Sequence, residues 1–121
     1  MPDTNSYVEK RIYPRVQVNL PVKYKVFEYE TDLTTVFERK KIIKNSHTLD
    51  VSSGGLFLMT DHALEVETML RLDISLPTLS HEISAFAEVV WANPSGAGLR
   101  FAAIRNEDAE TLRNYLSHIS N

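Results

Sequence analysis

Apolar and polar residues alternate without interruption from position 16 to 26. Val16, Val18, Leu20, Val22, Tyr24 and Val26 fall on one side, and Gln17, Asn19, Pro21, Lys23 and Lys25 on the other. A two-residue period belongs to a strand with one face in a core and one in water. Pro21 has no amide hydrogen for a ladder, so it predicts a bulge or an edge position within that strand. Residues 28–41 are polar and charged apart from Leu33, Val36 and Phe37, and read as a long hairpin connection or a mobile loop. A strand resumes over 42–51 with poorer alternation. Gly54 and Gly55 then open the apolar run Leu56-Phe57-Leu58-Met59. Leu70, Leu72, Ile74 and Leu76 alternate with Arg71, Asp73 and Ser75 until Pro77 ends the run. Residues 83–91 are β-branched, small and aromatic, and the turn Asn93-Pro94-Ser95-Gly96 separates them from Leu99-Arg100-Phe101. Six strands spaced by turns, with no helix between them, predict an all-β antiparallel barrel or sandwich.

The period changes after residue 105. Asn106 is a suitable helix N-cap, Glu107 and Asp108 suit the positive end of the helix dipole, and Arg113 and His118 lie nearer its negative end. Ala109, Leu112, Leu116 and Ile119 recur at helical spacing, which predicts a C-terminal helix over 106–121 laying one apolar stripe on the β-domain of residues 16–105.

Composition narrows the function classes. At 121 residues the chain is one domain's worth, and 43% apolar with 24% charged residues is ordinary for a globular protein. There are no cysteines, so disulfides, thiolate metal sites and cysteine nucleophiles are excluded together. Thirteen Lys and Arg against 16 Asp and Glu give a net charge of -3. That balance argues against a nucleic-acid polymer as partner, though a few local arginines suffice for a small anion. The first ten residues are polar and hold no signal-peptide core, and no apolar stretch is long enough for membrane insertion. A cytoplasmic protein is expected.

Two short motifs carry chemistry. Arg11-Ile12-Tyr13-Pro14-Arg15 sets two arginines four apart just ahead of the first strand, where Pro14 biases Tyr13 toward an extended form. Each guanidinium is a planar fork of donors that fits a phosphate or the O6/N7 edge of guanine. Residues 1–15 are expected to form a flexible arm, mobile without ligand because its arginines repel each other and lack a buried partner. The second motif, Asp50-Val51-Ser52-Ser53-Gly54-Gly55, reads as a tight turn between two strands. Asp50 suits the N1–H and N2–H₂ edge of guanine, and Ser52 adds a hydroxyl that donates or accepts. Gly54 and Gly55 permit positive φ and a close approach of ligand to backbone. Arg-x-x-x-Arg is expected by chance roughly 0.4 times in such a chain, and the Asp/Asn-x-Ser-x-x-Gly pattern roughly 0.03 times, so the pair is specific where neither half is.

These two motifs, with Val89-Val90-Trp91 and Gly96-Ala97-Gly98-Leu99-Arg100-Phe101, resemble the PilZ domain family of bacterial cyclic di-GMP receptors. The resemblance runs from about Lys10 to the C-terminal helix. It implies a six-stranded antiparallel β-barrel with a helix packed at its end, and an N-terminal arm wrapping over a ligand on the barrel surface. It also implies roles: Arg11 and Arg15 on phosphates and the guanine O6/N7 edge, Asp50 and Ser52 on guanine hydrogen-bonding groups, and Gly54 and Gly55 shaping the turn. Lys10 precedes the first arginine, and a basic residue there goes with two stacked cyclic di-GMP molecules. Trp91 either stacks on a purine or is a partly buried barrel residue. The basic trio Arg39-Lys40-Lys41 is outside the ligand motif and reads as a solvated loop.

Other chemistries find little support. His47, His62, His81 and His118 have no metal-ligand spacing, and no Gly-x-Ser-x-Gly turn or Gly-rich phosphate loop occurs. No metal, cofactor or enzymatic activity is expected. The expected function is a cyclic di-GMP-binding adaptor that changes conformation and is read by an unidentified downstream protein. The alternatives are a ligand-free PilZ-like adaptor acting through protein contacts alone, and an oligosaccharide- or oligonucleotide-binding barrel.

Overall fold

In the computed structural model, which describes residues 14–27 and 43–120, the alternating run at 16–26 forms two strands rather than one. These are β1 (Val16–Gln17) and β2 (Pro21–Phe27), and both lie antiparallel along one edge of β3 (Lys44–Ser52). Val16 faces Val51 and Pro21 faces His47, so the register slips by one residue between the two strands. The Thr48 side chain closes that break. Its hydroxyl donates to the Val18 carbonyl at 2.6 Å and accepts from the Leu20 amide at 2.9 Å, while its own amide donates to the Leu20 carbonyl. The even-numbered side chains keep facing the core through the break, with Leu20, Val22 and Tyr24 buried. Pro21 marks the interruption the sequence predicted.

The remaining strands are β4 (Gly55–Met59), β5 (Met69–Ile74), β6 (Ile83–Asn93) and β7 (Gly96–Ile104). They pair antiparallel in the order β3-β2-β5-β6-β7-β4, and β4 returns to β3. The result is a closed six-stranded antiparallel barrel with β1 as an added short strand. Closure leaves no open barrel edge, and Leu56, Leu58, Leu70, Leu72, Ile74 and Ile83 fill the interior.

Two bulges decide what faces outward. Between Thr48 and Asp50 the ladder to β4 skips Leu49, so Leu49 and Asp50 both reach the outer surface while Thr48 and Val51 are buried. A second shift between Val89 and Trp91 does the same for Val90 and Trp91 on β6. A one-residue insertion in the pairing accounts for the poor alternation over 42–51.

The C-terminal helix α1 (Asn106–Ser120) lies against β1 and β3. Leu112 and Leu116 are buried as expected, but Ile119 is 42% exposed, and Asp108 and Tyr115 complete the covered face instead. The Arg105 carbonyl accepts from the Ala109 amide at 2.8 Å, which places the cap at Arg105 and makes Asn106 the first helical residue. Buried Asp108 accepts from Arg105 Nε at 3.4 Å. Among the described residues no helix is long and apolar enough to cross a membrane.

Candidate functional site

β1 is two residues long, yet it positions the site. Its pairing with β3 sets Gln17 opposite Asp50, so Arg15, one residue before the strand, arrives beside the Asp50 carboxylate. Arg15 Nη1 donates to Asp50 Oδ1 at 2.5 Å across 35 residues of sequence. Both residues predicted for one site therefore meet on the barrel surface, where Arg15 has a solvent-exposed partner. The pair is open to water, with the Arg15 side chain 54% and that of Asp50 22% exposed. Ion pairs so placed contribute about 0–1 kcal/mol, so little opposes their exchange for other partners. Lys10 and Arg11 lie outside the described residues.

The corner from β3 to β4 is a two-residue turn at Ser53 and Gly54, with Ser52 opposite Gly55. The Ser52 hydroxyl is committed to this turn. It donates to the Gly55 carbonyl and accepts from the Gly54 amide, each at 3.2 Å, and the residue is buried. No glycine has a positive φ, so the corner does not use the backbone freedom that Gly54 and Gly55 permit. Gly55 is required for a different reason: a Cβ there would lie 2.0 Å from the Leu99 carbonyl oxygen on β7. The Gly54 carbonyl accepts from the Phe101 amide at 2.9 Å, tying the corner to β7.

Cross-strand register carries the site over the barrel wall. Asp50 pairs with Phe57, Phe57 with Gly98, and Gly98 with Trp91. Trp91 thus shares a face with Asp50 at three inter-strand steps, roughly 14 Å. Its indole lies over Gly98, where a Cβ would meet Nε1 at 2.2 Å, and against the Phe57 ring at a 5.1 Å centroid distance. Phe57 is buried under this cover, whereas Trp91 remains 45% exposed. Trp91 is both a structural cover and an open aromatic surface.

Two further residues belong to this face. Leu49, raised by the bulge, is 53% exposed next to Asp50. Arg100 is the cross-strand neighbour of Gly55 and donates to Glu88 Oε1 at 2.6 Å. The polar position of Arg100 between Leu99 and Phe101 was the available signal for an outward guanidinium; Leu49 had none, because a bulge depends on its partner strand. Among the described residues no group of three or more His, Asp or Glu side chains is placed to hold a metal ion.

The family model for the PilZ domain matches residues 9–118. No curated protein matches the chain by sequence. Among solved structures, the chain is similar to the Bacillus subtilis inhibitor of motility, MotI/DgrA, at TM-score 0.66 and 20% identity over 89% of this chain; it spans about half (50%) of that protein. The PilZ domain of CeSA from a cellulose-synthesizing bacterium superimposes at TM-score 0.61 and 14% identity, covering 89% of this chain and 99% of that one. A Xanthomonas campestris protein, described as a tetrameric PilZ domain self-assembled through a helical bundle, superimposes at TM-score 0.61 and 11% identity. There the cover is 99% of this chain and 97% of that one.

Proposed function

We propose that this chain, which belongs to the PilZ domain family, is a cytoplasmic receptor for cyclic di-GMP that signals its bound state to a downstream protein. The observation that carries this reading is the Arg15–Asp50 pair, exposed and joined at 2.5 Å beside the Ser52–Gly55 corner. A guanidinium and a carboxylate side by side select for a ligand that offers both signs of hydrogen bond. An anion alone would satisfy Arg15 and leave the Asp50 carboxylate facing like charge. A guanine nucleotide satisfies both: its phosphate or O6/N7 edge accepts from Arg15, and its N1–H and N2–H₂ donate to Asp50. Ser52 supports this by holding the turn, and Trp91 offers a face for a base. By family resemblance Arg11 is assigned to the phosphates and the guanine O6/N7 edge, and Lys10 favours two stacked ligands.

The mechanism is an exchange of partners. Ligand contacts replace the Arg15–Asp50 bond, the chain preceding β1 follows its arginines onto the ligand, and the altered surface is what another protein reads. Isothermal titration of nucleotide-stripped protein with cyclic di-GMP, and separately with cyclic di-AMP, tests it. Heat with the guanine compound alone is expected, because adenine lacks the N1–H and N2–H₂ donors. Absence of heat with both at micromolar protein would overturn the reading and favour the second one: the closed Arg15–Asp50 bond is then a clasp fastening β1 to the barrel of an adaptor that acts by protein contacts alone.

A further inference from the structure

Away from the Arg15–Asp50 corner, the outer wall of β2, β5 and β6 carries an apolar patch that no other described residue covers. Phe27 and Phe86 are 41% and 40% exposed, and their rings lie 5.5 Å apart. Met69 is the cross-strand partner of Phe27, and Phe86 that of Arg71. With Val66, 55% exposed on the loop before β5, Phe27, Met69 and Phe86 line a cleft of about 940 Å³. Two aromatic rings and a valine left in water at a concave surface are the composition of an interface core.

Apart from Glu88, the partner of Met69 and held by Arg100, and Asp73, which accepts from Ser84 beside Arg71, the charges around the patch are segregated. Along the strands on one side lie Lys25 and Arg71, paired with each other across β2 and β5 and two residues, roughly 7 Å, from Phe27 and Met69. On the other side the loop presents exposed Glu65 and Glu67 at the cleft. Among the described residues Lys25, Glu65 and Glu67 enter no ion pair, and Arg71 has only a long contact to Asp73 at 3.7 Å. Glu67 is held at φ 77, a left-handed conformation that side-chain-bearing residues rarely adopt. The surface therefore reads base, apolar, acid in one direction.

A stripe of that order is complementary to its own copy turned by half a revolution. The two-fold operation lays Lys25 and Arg71 of one copy on Glu65 and Glu67 of the other, and the Phe27–Phe86 pairs meet at the axis. We propose that this stripe is the contact between two copies of the chain in an isologous dimer. A foreign partner would need only an acidic or a basic flank; both flanks around one apolar centre favour self-pairing. The contact is separate from the Arg15–Asp50 corner, which lies at β1 and β3, although β6 carries both Phe86 and Trp91.

Sedimentation velocity over a rising protein series, without nucleotide, tests this. The wild-type chain is expected to pass from monomer to dimer as concentration rises, with the midpoint moving up in high salt. Phe86→Glu is expected to raise that midpoint at least tenfold. Two charge-reversed proteins, Glu65→Lys with Glu67→Lys and Lys25→Glu with Arg71→Glu, should each remain monomeric alone and form a heterodimer when mixed. All these positions are on the surface, and circular dichroism checks that each variant is folded. A wild type that stays monomeric throughout, reversed variants that still dimerise alone, or a mixture that does not associate would each overturn the proposal.

Discussion

Thr48 and Asp50 lie two residues apart on β3, and the barrel wall runs between them. Thr48 is 1% exposed and its hydroxyl joins the Val18 carbonyl to the Leu20 amide. Asp50 faces outward and holds the Arg15 guanidinium. Both contacts fasten the start of the chain to β3, yet their worth differs because water reaches one and not the other. Inside, removing the hydroxyl leaves two backbone groups with no replacement partner. Outside, water or a ligand takes over at once. The same strand thus supplies a fixed joint and an exchangeable one, and the bulge at Leu49 is what turns positions two apart, which a regular strand holds on one face, to opposite environments.

The sharpest way to break this contrast is Thr48→Val, which keeps the shape and deletes the hydroxyl. A loss of about 1–3 kcal/mol is expected in urea unfolding, the range for buried backbone groups left unsatisfied. A loss no larger than that of an exposed substitution would mean that water enters the break between β1 and β2. Arg15→Ala should behave in the reverse sense. Its unfolding free energy is expected to fall by no more than about 1 kcal/mol, while cyclic di-GMP affinity by calorimetry falls at least tenfold. Equal affinity would remove Arg15 from the site; a large stability loss would make the pair a structural joint like Thr48.

The smallest expected effect concerns the core beside β3. The Tyr24 phenol is raised above its ordinary 10.0, by burial first and by the nearby Asp61 carboxylate second. A raised value means that the folded protein holds the proton after the unfolded chain has released it. That share of stability is therefore intact below pH 10.0 and is lost as pH climbs toward the folded value. Thermal melts of Tyr24→Phe across alkaline pH should show a shallower decline than the wild type. An identical decline would place the alkaline sensitivity elsewhere.

Much of the barrel is legible in the sequence alone. The residues of 16–26 that alternate are those that alternate in burial, because a two-residue period is local and needs no knowledge of neighbours. Leu112 and Leu116 were legible on the helix for the same reason, at a different period. Arg15, Asp50 and the Gly55 corner were identifiable as chemistry, since residue type and spacing are properties of the chain itself.

Tertiary structure decided where that chemistry goes. The Arg15–Asp50 contact spans 35 residues, and it exists because β1 pairs with one edge of β3 while β4 closes the other. That the Ser52 hydroxyl bonds within the turn, and that Gly55 leaves no room for a Cβ beside the Leu99 carbonyl, follows only from how β3, β4 and β7 meet. Ile119 sits on the predicted stripe and is 42% exposed, because helical spacing fixes a face and not how far the packing against β1 and β3 extends along it. Periodicity depends on one strand or helix at a time, whereas register, bulges and close approach depend on two, and a single sequence states only the first.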